Sequence, residues 1–214
     1  MNNIKRIVKK PISLVKKCME LNKHKRFINN DKRLFFADNI KTHLTSQEKR
    51  ELYSLSHRFH KKCVAVEIGS YIGSSSCFIT AGFIDKESVL YCVDTWNNDA
   101  MTEGNIDTFS DFKKNTVEFQ DYIKMIKGLS YNVVTEVESL TGGEVDFLFI
   151  DGDHSYNGVK KDWDFYSPFL KKGAIVAFHD VGWAEGVQKV IKDDVIEKVS
   201  DYKMLPNLWW GIIK

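Results

Sequence analysis

The sequence predicts one α/β domain, a doubly wound and mostly parallel sheet of seven strands with helices on both faces, preceded by a basic helical arm. Three observations carry that reading. Short, branched apolar runs alternate with amphipathic stretches from about residue 60 onward. At 214 residues and 43% hydrophobic composition, the chain has enough apolar surface for one real core. No internal repeat or low-complexity linker divides it.

The arm comes first. Residues 1–33 hold eleven Lys and Arg against Glu20 and Asp31, net +9, which leaves 20 basic and 27 acidic side chains, net −7, for the remainder. Ile4, Ile7, Val8, Ile12, Val15, Cys18, Met19 and Leu21 return at helical spacing between lysines, and Pro11 fits the first turn of a second helix. Two readings stay open here: peripheral contact with an anionic membrane surface or a partner, or a stripe packed on the body beneath solvated lysines. Residues 34–60 read as a helical cap, with Thr45 or Ser46 at its N-cap and Glu48 or Glu51 in the first turn. The division expected is therefore an arm and cap over 1–60 and the domain proper over 61–214.

Strands are expected at Cys63–Ile68, Val89–Asp94, Tyr122–Lys127, Val145–Asp151 and Ala174–His179, with one or two more in the tail Tyr202–Lys214. The intervening helices are Ser74–Phe83, Phe109–Glu118, Tyr156–Phe169 and Gly186–Val195. Crossover helices between short strands make neighbouring strands parallel. The long polar stretch 96–109 reads as a lid or specificity loop, or as a plain connection.

Several classes are excluded. No run of 18 apolar residues exists to span a bilayer, and no apolar run in the arm is long enough for a secretory core. Cys18, Cys63, Cys77 and Cys92 form no C-x-x-C pair, and three of them sit in apolar runs, so neither a zinc site nor a disulfide framework is expected. A reducing cytoplasm suits them, with any membrane contact confined to residues 1–33. No nucleic-acid partner is expected, and the oligomeric state, a homo-oligomer included, is open.

Ligands of such sheets sit outside the carboxyl ends of the strands. The first strand ends Glu67-Ile68-Gly69 and turns through Ser70-Tyr71-Ile72-Gly73 into Ser74. Two glycines allow a tight bend and close ligand approach, and the helix start offers free N–H groups. The same features also suit a mere strand-to-helix turn. Asp94 ends the second strand, where an acid can hold a ribose diol. Glu67 would repel a pyrophosphate but attract the ammonium of an amino-acid moiety. An acid at each strand end thus favours S-adenosylmethionine over a dinucleotide.

With E-x-G-x-x-x-G at 67–73, V-D-T-W at 93–96, F-I-D-G-D-H-S-Y at 149–156 and A-F-H-D at 177–180, the chain resembles the class I S-adenosylmethionine-dependent methyltransferases. Within them it is similar to the group of macrolide-sugar O-methyltransferases and proteins named after cephalosporin hydroxylase. The likeness covers about residues 60–185 and implies a Rossmann-like fold. It implies that Glu67, Gly69 and Gly73 bind the methionine end with Ser70, Tyr71 and Ser74. Asp94 would hold the ribose, Thr95 and Trp96 would flank the adenosine, Ser130 would edge the adenine, and Asp151 would stand beside the methyl group.

Asp151, Asp153, His154, His179 and Asp180 end two strands expected to be neighbours, and read either as a structural polar cluster or as a site that deprotonates a nucleophile. By resemblance to the metal-dependent O-methyltransferases, the catechol enzyme among them, Asp151, His179 and Asp180 are expected metal ligands. His154 falls on the general-base position, with Asp151 as its catalytic companion. The cation would be Mg2+ or Mn2+; because magnesium prefers oxygen and imidazole suits zinc, manganese or iron-group ions, either His179 turns away and Asp180 binds, or the metal differs, or the site is metal-free with His179 contacting substrate. The expected function is O-methylation of a small-molecule or glycan acceptor, on a hydroxyl of a sugar or sugar-bearing metabolite. A noncatalytic cofactor-binding scaffold and a metal-dependent hydroxylase are the alternatives.

Overall fold

The computed structural model describes residues 16–84, 87–98, 104 and 106–214. The expected features at Ile4, Ile7, Val8, Pro11, Ile12 and Val15, and the middle of the 96–109 stretch, lie outside the described residues.

Three helices precede the sheet: α1 (residues 16–28), α2 (Lys32–Asp38) and α3 (Ser46–His57). Then follow β1 (Val64–Ile68), α4 (Ser74–Phe83), β2 (Val89–Asp94), α5 (Phe109–Asn115), β3 (Ile123–Lys127) and α6 (Val134–Thr141). The chain closes with β4 (Val145–Ile150), α7 (Tyr156–Tyr166), β5 (Leu170–His179), α8 (Glu185–Val190), β6 (Val199–Met204) and β7 (Leu208–Ile213). The sheet order is β3-β2-β1-β4-β5-β7-β6. The first five strands pair in parallel, and β7 runs antiparallel between β5 and β6. The chain reverses direction across the sheet between β1 and β4, and there the carboxyl ends leave a crevice.

Period-two alternation assigns each strand two faces. Ala65, Phe147, Phe149, Ile175 and Ala177 face α2, α3 and α4, packing with Leu34, Leu52, Leu55 and Phe78. Val66, Ile68, Leu148, Val176 and Phe178 face α7 and α8, packing with Val159, Trp163, Tyr166, Val187 and Val190. Every residue of α4 is buried, which accounts for its apolar, charge-free sequence.

The cap is built as its sequence reads. Thr45 Oγ1 accepts from Glu48 N at 3.3 Å, and Thr45 N donates to Glu48 Oε2 at 2.7 Å, a reciprocal capping box. The described part of the arm packs only along one edge. His24 reaches Asp38 at 2.8 Å, and Phe27 meets the Tyr53 ring edge-on at 4.9 Å, while Met19 and Leu21 stay exposed.

Several boundaries differ from expectation. The helix after residue 109 stops at Asn115 and gives way to a tight turn at Val117–Phe119, and α7 ends at Tyr166, ahead of a turn containing Pro168. β5 begins four residues early, because Leu170 pairs with Val145 across an irregularity in register. The last helix divides into α8 and a wider-wound turn at Ile191–Val195. No helix among the described residues is long and apolar enough to cross a membrane.

Candidate active site

Two cavities, of ≈410 and ≈360 Å3, open at the carboxyl edge of the sheet and share Gly69, Tyr71 and Asp151 in their walls. The first also takes Ser70, Ser74, His154, His179, Asp180, Trp183 and Asn207, with Thr42, His43 and Leu44 from the cap. The second takes Asp94, Thr95, Asn98, Thr108, Ser130, Asp153 and Asp162.

The turn after β1 divides them. Gly69 has φ +86°, and a Cβ there would lie 2.2 Å from the Asp151 carbonyl oxygen, so its glycine is required by the approach of the β4 end. Gly73 has φ +92°, and its Cβ would meet Thr116 Cγ2 at 2.6 Å. Packing on α5 therefore dictates Gly73, which lines neither cavity. Glu67 is fully buried under the turn and also lines neither cavity. Its Oε2 accepts from the Ser76 hydroxyl and, at 3.4 Å, from the Cys92 thiol. Burial pushes the carboxyl up to about 7, against the pull of the Ser75, Ser76 and Ser70 hydroxyls and the Cys92 thiol.

Asp94 ties the turn to β2. Its Oδ2 accepts from the Ser70 and Tyr71 amides at 2.8 Å each, and its Oδ1 from the Trp96 amide at 2.6 Å. Thr95 lines the second cavity, but Trp96 does not. Its ring is 0% exposed and packs between Phe109 and Phe112, 4.9 and 5.0 Å away, because the left-handed backbone at φ +53° turns it into the core. Ser130 lines the cavity and donates to Asp162, which was not singled out from the sequence. Burial raises Asp162 to about 7. Its signal was local: with Val159, Trp163 and Tyr166 it occupies the buried face of α7.

The polar cluster assembles where β4 and β5 end side by side. His154 Nε2 lies 2.8 Å from Asp180 Oδ2, and this bond raises the His154 pKa despite burial. Burial would raise Asp180, but His154, His179 and Asn207 hold it well below the usual range. Burial raises Asp151, opposed by His179. His179 Nδ1 stands 3.0 Å from Asp151 and 3.3 Å from Asp180, with Nε2 3.7 Å from Glu48. Burial disfavours its charge, yet Asp151, Asp180 and Glu48 prevail and push it up to about 12.

That arrangement changes the expected ligand set. Atoms of Asp151, His154 and Asp180 lie within 4.8 Å of one another, a donor set of two carboxylates and one imidazole that fits a divalent ion of the manganese type. His179, expected as the nitrogen ligand, falls outside that group: its ring stands among Asp151, Asp180 and Glu48, which favour its charged form. Strand alternation explains it. His179 shares the face of Ile175 and Ala177, which points toward α3 and brings the ring to Glu48. Asp153 lines the second cavity and bonds the Ser155 amide at 2.7 Å, away from the cluster. Glu48 was read from sequence only as a first-turn residue of the cap, and His43 was not singled out.

For S-adenosylmethionine the residues fit. Ser74 Oγ in the first cavity, and Asn98 Oδ1 and Thr108 Oγ1 in the second, are buried without a hydrogen-bond partner. The N-cap of α4, Gly73, supplies no side-chain cap, which leaves the first-turn amides at the cavity for an anionic group.

Comparisons with known proteins agree with this fold. An uncharacterized protein of Acanthamoeba polyphaga mimivirus is 35% identical over 103 residues, 42% of this chain and 46% of that one. The chain spans less than half the length of the curated relatives it matches. The crystal structure of an O-methyltransferase from Bacillus cereus in complex with S-adenosylhomocysteine superposes with a TM-score of 0.64 at 14% identity, covering 92% of this chain and 91% of that one. A TDP-rhamnose 3'-O-methyltransferase of calicheamicin biosynthesis superposes at 0.58 with 15% identity, over 92% and 94%. A family model described as a methyltransferase domain matches residues 66–181, from the middle of β1 to just past Asp180. Since that match takes in more than half of the sequence, the chain belongs to the methyltransferase domain family, among the class I S-adenosylmethionine-dependent methyltransferases.

Proposed function

We propose that this protein transfers the methyl group of S-adenosylmethionine to a hydroxyl of a sugar or sugar-bearing metabolite. The observation that carries the reading is Asp151, which lines both cavities and touches the His179 and Asp180 cluster. A ligand with adenosine in the ≈360 Å3 cavity would present its reactive end at that carboxylate. Asp94, Thr95 and Ser130 would take the nucleoside, and Gly69, Ser70, Tyr71 and Ser74 the amino-acid end, with Glu67 buried behind them. The sugar is supported by the likeness to the TDP-rhamnose enzyme and by the hydroxyl, imidazole and carboxylate groups among the walls of the larger cavity.

S-adenosylmethionine supplies an electrophilic methyl group on a positively charged sulfur. The protein's part is to align the acceptor oxygen, exclude water and remove a proton. His154 donates its Nε2–H to Asp180 and keeps Nδ1 to take the hydroxyl proton, and Asp180 then stabilises the resulting imidazolium. Because Asp180 raises the His154 pKa, the rate should climb as pH passes above His154's ordinary value of 6.5 and frees the ring of its second proton.

A second reading is favoured by the convergence of Asp151, His154 and Asp180. A divalent cation held there would stabilise the developing alkoxide, and His154 would then be a ligand and not the base. A cytoplasmic setting suits the free thiols, three of them buried. Residues 16–33, with seven Lys and Arg against two acids, support a peripheral contact with anionic lipid.

The test is transfer from methyl-labelled S-adenosylmethionine to a panel of methyl pyranosides, followed by mass spectrometry. Labelled glycoside that is insensitive to chelator supports the base route; loss with chelator and recovery with Mn2+ supports the metal route. S-adenosylhomocysteine binding without transfer to any hydroxyl is the behaviour of a scaffold and would refute the proposal.

A further inference from the structure

The larger cavity has a wall that the cofactor does not need. Trp183 is 60% exposed, whereas Trp96, Trp163, Trp209 and Trp210 are at most 4% exposed. An indole at a cavity mouth offers a large, rigid apolar face to a ligand. Its position is fixed from several sides. Trp183 Nε1 donates to Asp180 Oδ1 at 2.8 Å, and its ring meets His154 edge-on with centroids 4.9 Å apart. The loop beneath is clamped: Gly182 N donates to Asn207 Oδ1 at 2.9 Å, and Asn207 Nδ2 donates to Asp180 Oδ1 at 2.9 Å. A Cβ on Gly182 would lie 2.5 Å from the Pro206 carbonyl oxygen, so the loop sits directly on the residues before β7.

The cap supplies further wall to the same cavity, with Leu44 buried, Thr42 half-buried and His43 exposed. A rigid aromatic face beside the proposed base, with hydroxyl and imidazole groups elsewhere in the lining, fits a ring with an apolar C–H face and a hydroxylated edge. We propose that Trp183 is the platform of the acceptor subsite, on which a pyranose ring stacks so that one hydroxyl reaches His154 while Thr42 and His43 meet its edge. This rests on reading the site as a hydroxyl methyltransferase. A catechol, with both hydroxyls directed to His154, leaves Thr42 and His43 without partners and is not held over the indole.

The test uses the exposure contrast among the tryptophans. Acrylamide quenching of the full chain saturated with S-adenosylhomocysteine reads Trp183 above the buried indoles. Methyl pyranosides, methyl α-rhamnopyranoside among them, should shield it, and catechol should not. In transfer assays with the shielding glycoside, Trp183→Ala should raise KM about tenfold, with kcat within about threefold and S-adenosylhomocysteine affinity unchanged. Trp183→Phe, which keeps a ring and loses the N–H, should return KM to within about threefold of wild type. Shielding by catechol alone, or by no glycoside, overturns the proposal. So does a Trp183→Phe variant as impaired as Trp183→Ala, which would mark the indole as a mere pin for Asp180. Calorimetry separates the deeper failure, because loss of S-adenosylhomocysteine binding in wild type refutes the methyltransferase reading itself.

Discussion

Three glycines with left-handed backbones form a graded test of how the turn after β1 is built. Gly142, Gly73 and Gly69 have φ of +68°, +92° and +86°, so alanine at each meets a similar backbone penalty of about 1–2 kcal/mol. The surroundings differ. A Cβ at Gly142 meets nothing within 4 Å, so the backbone term stands alone. At Gly73 it meets Thr116 Cγ2 at 2.6 Å and Phe112 at 3.3 Å, side chains that can shift at a further cost of about 1 kcal/mol. At Gly69 it meets Asp151 O, Asp151 C and Gly152 N at 2.2, 2.5 and 2.7 Å, which are main chain and cannot rotate away. Relief requires parting the ends of β1 and β4, at the expense of the 2.8 Å bond from Asp151 N to Ile68 O and of the 2.9 Å bond from Gly69 N to Val93 O. At about 1 kcal/mol each, these bring Gly69→Ala to about 3–4 kcal/mol. Urea unfolding should therefore rank Gly142→Ala, Gly73→Ala and Gly69→Ala at about 1–2, 2–3 and 3–4 kcal/mol, with unchanged slopes. A Gly69→Ala protein within about 1 kcal/mol of Gly142→Ala would refute the close approach of the two strand ends.

Other substitutions probe the cluster and the smaller cavity. Asp162 holds its proton up to about pH 7 when folded, whereas the unfolded side chain ionises near 3.8. Between those values the unfolded chain binds fewer protons, so wild-type stability carries a component that falls as pH rises, worth at most about 4 kcal/mol. Asp162→Asn removes that component, and thermal melts from pH 4 to 7 should show a flatter profile than wild type; parallel profiles would argue against a buried neutral acid. His154→Ala should lower transfer at least about 100-fold while S-adenosylhomocysteine binds as before, read by single-turnover kinetics. Asp180→Asn should move the inflection of the pH–rate profile downward, because it removes the bond that raises His154; an unmoved inflection would dissociate the pair.

The sheet was legible because branched runs and crossover helices are local patterns, and both predicted core faces follow from alternation along single strands. The cap's helix start was legible for the same reason, but only the structure chooses Thr45 over Ser46 and Glu48 over Glu51. What local pattern could not show is where long-range packing turns a side chain. Trp96 sits in V-D-T-W next to the acid of β2, but its backbone conformation buries it against Phe109 and Phe112. Glu48 and His179 are far apart in sequence and meet because α3 packs on the sheet face that carries His179. His43 joins the cavity wall by the same docking of the cap. Asp162 could have been found, since an acid on the apolar face of an amphipathic helix asks for a buried partner, and Ser130 is that partner.

The central claim is that the turn after β1 and the acid ending β2 together hold S-adenosylmethionine. Calorimetric titration of the full chain with S-adenosylhomocysteine tests it most directly. The account predicts one site in wild type, affinity weakened at least about tenfold in Asp94→Ala, and affinity unchanged in Trp183→Ala. No binding to wild type, or equal affinity in wild type and Asp94→Ala, would contradict it.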